Sequence, residues 1–270
     1  MTLAPPVSDL TAQHDHLYVR WHEPGIAEVV LANPAQRNAM SGPMTAAWST
    51  VMTALSEVTE LRAVLVRGEG PAFCAGGDLG WLADGGSESV DTLSRRMDRF
   101  YGHWLSITEL SVPTVAFIEG PAIGAGAAIA LACDIRWVGE RARFSVPFTR
   151  LGLHAGMGTT FLLTQAVGAA MARDLLLSSR SLDADGMLAA GVATRQVTAE
   201  QVLGEVAAIA ANAPLAMRLT KRGLSPAPPA SLAEALRWEG VVQPVTMTTQ
   251  DVQEGLRAAR ERRDPVFEGR

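Results

Sequence analysis

The spacing of apolar positions changes period several times along the chain, and each change predicts an element. Leu17-Tyr-Val-Arg20 and Ile26 to Leu31 are rich in β-branched and aromatic residues and flank Pro24-Gly25, which predicts two paired strands about a turn. Ser41 is a good N-cap and Pro43 suits a first helical turn. Trp48, Val51, Met52 and Leu55 then recur at helical spacing, so a helix should cover the sheet. Ala63 to Arg67 and Val115 to Ile118 read as further strands. Between them Leu93, Met97, Phe100, Tyr101, Trp104 and Ile107 trace an apolar helical stripe. Beyond about residue 170 the pattern turns helical, with stretches at 198–211, 214–222, 231–241 and 246–262; Pro226-Ala-Pro-Pro229 marks a linker. Residues 1–15 are polar and carry prolines, as in a loose arm, and Gly80 to Ser89 reads as a mobile loop of Gly, Ser and acidic residues.

Two strands run into glycine loops. Val115 to Ile118 leads into Gly120-Pro-Ala-Ile-Gly-Ala-Gly126 and then an Ala-rich helix, whose first amides have no intrahelical acceptor and are free to bind an oxygen carrying negative charge. A dinucleotide fingerprint is the familiar competitor. It fails at its third glycine, where Ile129 stands, and no acidic residue follows at the ribose-binding distance. Ala63 to Arg67 leads into a second loop, Ala72-Phe-Cys-Ala-Gly-Gly-Asp-Leu79.

Composition narrows the partners. A chain of 270 residues with 48% hydrophobic content fills a real core, and a net charge of −5 argues against a nucleic-acid partner. Cys74 and Cys133 lack metal-ligand spacing and read as reduced core thiols, and no metal site is expected. The N-terminus carries no basic start or long apolar run. The longest uncharged apolar run, Gly120 to Cys133, falls short of the ~20 residues a span needs, so a cytoplasmic protein without a membrane partner is expected.

The two loops, with Ala132-Cys-Asp-Ile135, resemble the enoyl-CoA hydratase/isomerase (crotonase) superfamily. The resemblance extends through Asn33-Pro-Ala-Gln-Arg-Asn-Ala-Met40, Leu151-Gly-Leu-His-Ala-Gly-Met-Gly158, Ala213 to Lys221, Glu254 to Arg257 and Pro265-Val-Phe267. It implies an α/β fold: a crotonase-like spiral of strand-strand-helix units over 16–200, with further strands at Asp134 to Val138 and Arg143 to Val146. A C-terminal helical region over 201–270 would join subunits into a homotrimer or dimer of trimers. It also implies an acyl-CoA substrate, with coenzyme A as part of that substrate and no permanently bound cofactor, and an oxyanion hole carried by the backbone amides of Gly77 and Ala125. Arg37 and Ala39 are implied beside the adenine and phosphate end of CoA; Arg37 reads equally well as a solvated loop charge. Ala75, Gly76, Asp78, Leu79, Trp81, Gly124, Ala128, Phe148 and Phe267 complete the implied substrate contacts. Leu82, Met97 and Tyr101 are further candidates for the acyl chain. Arg257, Arg260, Arg262 and Arg263 read as a solvated helix face, or as charge for CoA phosphates near Phe267 from a neighbouring subunit.

The chemistry departs from the family at its acids. Hydratases of the superfamily place glutamates where this chain has Ala128 and Phe148, and some isomerases place an acid in the turn that here reads His154 to Gly158. His154 is the best replacement base, because imidazole titrates near neutrality; the alternative is a hydrogen-bonded structural histidine. Glu119, expected to cap its loop, Asp84, expected to face water, and His103 are weaker candidates. Asp78 reads as a helix cap, with a general base as the minority alternative. No serine occupies either loop, which argues against the superfamily's protease branch. Two functions remain open: an enzyme that stabilises a thioester enolate, for which conventional hydration is doubtful, or an acyl-CoA carrier or sensor.

Overall fold

The computed structural model describes residue 10 and residues 14–78, 88–224 and 231–270. Strands β1 (Leu17–His22) and β2 (Ile26–Leu31) pair antiparallel about Pro24-Gly25. Helix α1 (Gly42–Glu57) follows, its Ser41 hydroxyl accepting from Met44 N at 3.3 Å as the N-cap pattern requires. Next come β3 (Ala63–Gly68), α2 (Val90–Leu105), β4 (Thr114–Ile118), β5 (Pro121–Ile123), α3 (Ala125–Ala132), β6 (Ile135–Val138) and β7 (Arg143–Ser145). The chain continues through α4 (Thr159–Ser178), β8 (Leu182–Asp183), α5 (Ala184–Ala190) and β9 (Arg195–Gln196). It ends in α6 (Val202–Ala210), α7 (Pro214–Gly223), α8 (Leu232–Met247) and α9 (Gln250–Glu261).

Six strands form one sheet in the order β1-β2-β3-β4-β6-β9, parallel except for β1, and β5-β7-β8 form a smaller second sheet. Strand periodicity divides the large sheet between two cores. Ala27, Val29, Leu31, Val64, Val66, Ala116 and Ile118 face one way, into the main core with α1 and α3. Ile26, Ala63, Leu65, Val115, Phe117 and Trp137 face the other way and are covered by Val202, Val206 and Ala210 of α6. In the main core Trp48 of α1 stacks on Trp104 of α2 with centroids 4.8 Å apart, and Trp104 Nε1 donates to Thr45 Oγ1 at 3.1 Å.

The C-terminal boundaries differ from the sequence reading. The stretch at 231–241 runs on through Pro244 to Met247, and the last helix starts at Gln250 because the Thr249 hydroxyl accepts from Val252 N at 3.1 Å and caps it there. α6 begins at Val202, after a turn over 198–201. α4 opens directly after Gly158, earlier than the onset of helix read near residue 170. By length and composition it passes as a membrane-crossing helix, but it bends at Gly168 (φ 76°, ψ 164°) and packs along α3. Of the N-terminal arm, Leu10 is buried in the main core and His14 exchanges backbone hydrogen bonds with Leu17. Residues 226–229, read as a linker, lie outside the described residues.

Candidate active site

The two glycine loops run side by side. Cys74 N donates to Pro121 O at 3.1 Å and Ile123 N donates to Cys74 O at 2.9 Å, so the first loop adds to β5 as a short extra strand. Glycine permits the approach: a Cβ on Gly126 would lie 2.2 Å from Cys74 O, and one on Gly120 2.3 Å from Pro71 O. On its other side the first loop is tied to residues 37–40. Ala75 N donates to Arg37 O at 2.9 Å, and Met40 N to Gly76 O at 2.8 Å.

Those bonds set the direction of two amides. Gly76 adopts φ 96°, and its carbonyl points at Met40. In a trans peptide the next N–H points the opposite way, so Gly77 N–H faces away from Met40, to the side where the second loop lies. Gly124 O accepts from Ala128 N at 3.0 Å, and by the same rule Ala125 N–H points back out of the start of α3. A Cβ on Gly76 would lie 3.3 Å from Ala125 N, which places the two loops in contact at this point. Neither Gly77 N nor Ala125 N has an acceptor among the described residues. The positive end of α3 adds to the attraction for an oxygen bearing negative charge.

The floor is apolar. Ala128 is fully buried, and the Phe148 ring comes within 3.9 Å of the Cβ position of Gly124. His154 is exposed, and its Nδ1 donates to Ala155 O at 2.8 Å. Glu119, expected to cap the second loop, follows the end of β4 and pairs with Arg141 at 3.3 Å and Arg67 at 3.7 Å. His103 bonds Ser49 Oγ of α1 at 2.9 Å. Leu79, Trp81, Leu82 and Asp84 lie outside the described residues, as does the segment that Asp78 was expected to cap. Ala39 N donates to Gln36 O at 3.1 Å in the segment beside the first loop. Met97 and Tyr101 are half-buried on α2.

Phe267 is not brought to the glycine loops. It packs among Leu215, Val252, Gly255 and Leu256 of the C-terminal helices, beside a cavity of about 300 Å³. Arg263, read as a solvated face or a phosphate contact, forms a two-pronged pair with Glu254 at 2.6 and 3.0 Å, and hydrogen bonds from Arg263 hold the Glu254 carboxyl down at about 2. Cys74 and Cys133 are free and buried, with burial pushing both thiols up to about 12.

Sequence reasoning gave Asn38 no role of its own. It is fully buried in a left-handed conformation (φ 56°). Its Nδ2 donates to Ala72 O at 2.8 Å, Glu69 O at 3.0 Å and Phe73 O at 3.3 Å, while Oδ1 accepts from Asn33 N at 2.8 Å. A polar residue inside an otherwise ordinary loop motif was the only signal available.

The sequence pattern of the enoyl-CoA hydratase/isomerase family matches residues 22–270. The chain belongs to this family. A Thermus thermophilus protein bearing the enoyl-CoA hydratase name is 34% identical over 253 residues, covering 90% of this chain and 97% of that one. The 2,3-dehydroadipyl-CoA hydratase of Escherichia coli is 29% identical over 246 residues, covering 90% of this chain and 94% of that one. The solved enoyl-CoA hydratase of Bacillus anthracis superposes with a TM-score of 0.86 at 27% identity, covering 94% of this chain and all of that one. The mixed α/β architecture is the crotonase fold, and the family acts on CoA thioesters.

Proposed function

We propose that the protein holds the carbonyl oxygen of an acyl-CoA thioester between the N–H groups of Gly77 and Ala125 and so stabilises the enolate formed when an α-proton leaves. The observation that carries this reading is the pair of amides on adjoining loops, neither with an acceptor among the described residues. Each such donor lowers a barrier by about 2.7–4 kcal/mol, and a backbone amide does so whatever its side chain, so Ala125 serves as well as glycine. Positioned acids and bases add about 10²–10⁴-fold, and Ala128 and Phe148 can transfer no proton. Conventional hydration is therefore slow here, and the reactions favoured are those needing enolate stabilisation alone, α-proton exchange and double-bond migration. His154 is the base in this reading; its Nε2 remains as the accepting atom while Nδ1 donates to Ala155 O.

The apolar floor at Ala128 and Phe148 favours a second reading, an acyl-CoA carrier or sensor that keeps the thioester site without turnover. In either case the exposed Leu232, Leu236, Val241, Val245 and Met247 of α8 suit burial against other copies of the chain, as a trimer or a dimer of trimers.

Mass spectrometry of saturated, 2-enoyl, 3-enoyl and branched CoA thioesters incubated with the protein in deuterated water separates the readings. Deuterium uptake, water addition or double-bond migration above the buffer rate supports the enzyme. Tight binding without change in any thioester establishes the carrier. Loss of turnover in His154→Ala supports the histidine base, and an unchanged rate removes it.

A further inference from the structure

We infer that Asn38 is a positioning residue for the carbonyl-binding amide of Gly77, acting through the first loop and touching no substrate. The inference rests on the thioester site proposed above.

Two successive left-handed residues, Arg37 (φ 51°) and Asn38 (φ 56°), swing residues 37–40 alongside the first loop. Asparagine accepts that backbone more readily than most side chains do. From Ala72 to Gly77 every residue then meets this segment. The Asn38 Nδ2 group donates to Ala72 O at 2.8 Å and to Phe73 O at 3.3 Å. Cys74 Sγ donates to Asn38 O at 3.0 Å, and Ala75 N to Arg37 O at 2.9 Å. Met40 N donates to Gly76 O at 2.8 Å, and Met40 pairs with Gly77 in a parallel bridge. The Gly77 amide ends this row, and the Gly76 carbonyl before it sets its direction.

Within residues 37–40, Asn38 holds the start of the row by its side chain. It is fully buried, so it cannot reach a ligand, and both ends of its carboxamide are used: Oδ1 accepts from Asn33 N at 2.8 Å while Nδ2 serves the loop. The backbone bonds at Ala75 and Gly76 do not depend on residue type at position 38, whereas the bonds to Ala72 and Phe73 do. An aspartate keeps the shape but turns an oxygen toward both carbonyls, and the repulsion moves the start of the row. A donor to an oxyanion must lie about 2.7–3.1 Å from the oxygen it serves, so a small displacement of the loop weakens the bond from Gly77. That loss bears more on the enolate than on the neutral carbonyl, because the charge grows only as the α-proton leaves.

Isotope-edited infrared spectroscopy of carbonyl-labelled butyryl-CoA tests this on the wild type, on Asn38→Asp and on Val206→Ala, a destabilising change in the second core. In the wild type the thioester carbonyl stretch should drop on binding, as hydrogen bonding to its oxygen requires. Asn38→Asp should lose at least half of that drop, with affinity changed by about threefold or less, while Val206→Ala keeps it. Asn38→Ser, which keeps one short donor and is the milder change, should fall between the wild type and the aspartate variant. A full drop in both Asn38 variants overturns the inference and leaves the thioester site standing. Equal losses in Asn38→Asp and Val206→Ala also overturn it, since they show general loosening of the fold. If the wild type binds butyryl-CoA without any drop, or does not bind it, the thioester site itself falls and the role of Asn38 falls with it.

Discussion

A side chain on Gly76 would end 2.6 Å from the carbonyl oxygen of Ile123 and 3.3 Å from the amide nitrogen of Ala125. The first loop thus touches the second at the residue that turns the Gly77 amide, and at φ 96° only glycine is comfortable there. Gly76→Ala should destabilise the fold by about 2–4 kcal/mol, through backbone strain and a clash with backbone that cannot swing aside. Thermal melts read the first effect. Acyl-CoA affinity should also fall, because separating the loops moves the two amides apart.

Asn38 ties the Ala72 and Phe73 carbonyls of the first loop, and the Glu69 carbonyl just before it, with one amide group. Asn38→Ala leaves the buried Ala72 and Phe73 carbonyls short of a donor and should cost about 2–4 kcal/mol. Asn38→Asp should cost at least as much, since a carboxylate cannot donate to them. Urea denaturation of both variants checks the ranking; an aspartate variant as stable as the parent would contradict it.

Gly156→Ala should lower stability by about 1–3 kcal/mol, as overpacking does, because the new methyl meets the Tyr101 hydroxyl at 2.5 Å. Removing that hydroxyl should restore part of the loss, so the double variant Gly156→Ala with Tyr101→Phe should melt above the single one. A double-mutant cycle by thermal denaturation shows whether the two positions are coupled.

Burial pushes the thiols of Cys74 and Cys133 up to about 12. An unfolded thiol ionises near ~8.5, so the unfolded chain loses these protons first as pH rises. Stability tied to the two groups is full below that value and is lost between it and about 12. A colorimetric disulfide reagent at pH 8 should therefore find no thiol in the folded protein and both after denaturation. Rapid modification of the native state would show that the region around the first loop opens readily.

Local order was legible along the chain. Short apolar runs rich in β-branched residues marked β2, β3 and β4; Ser41 with Pro43 marked the start of α1; and the two glycine loops marked where two backbone amides lack acceptors among the described residues. These follow from interactions within a few residues, which the order of side chains determines directly. That Ala128 and Phe148 cannot titrate in any fold was equally plain, because a residue type needs no coordinates.

What only the tertiary structure decided depends on atoms distant in the chain. That Glu119 belongs to Arg67 and Arg141, that α6 covers the second face of the sheet, and that Asn38 fastens the first loop are facts of strand order and register. The direction of the Gly77 amide is decided the same way. A trans peptide makes its N–H oppose the Gly76 carbonyl, and that carbonyl is aimed by Met40, a residue from a different segment of the chain.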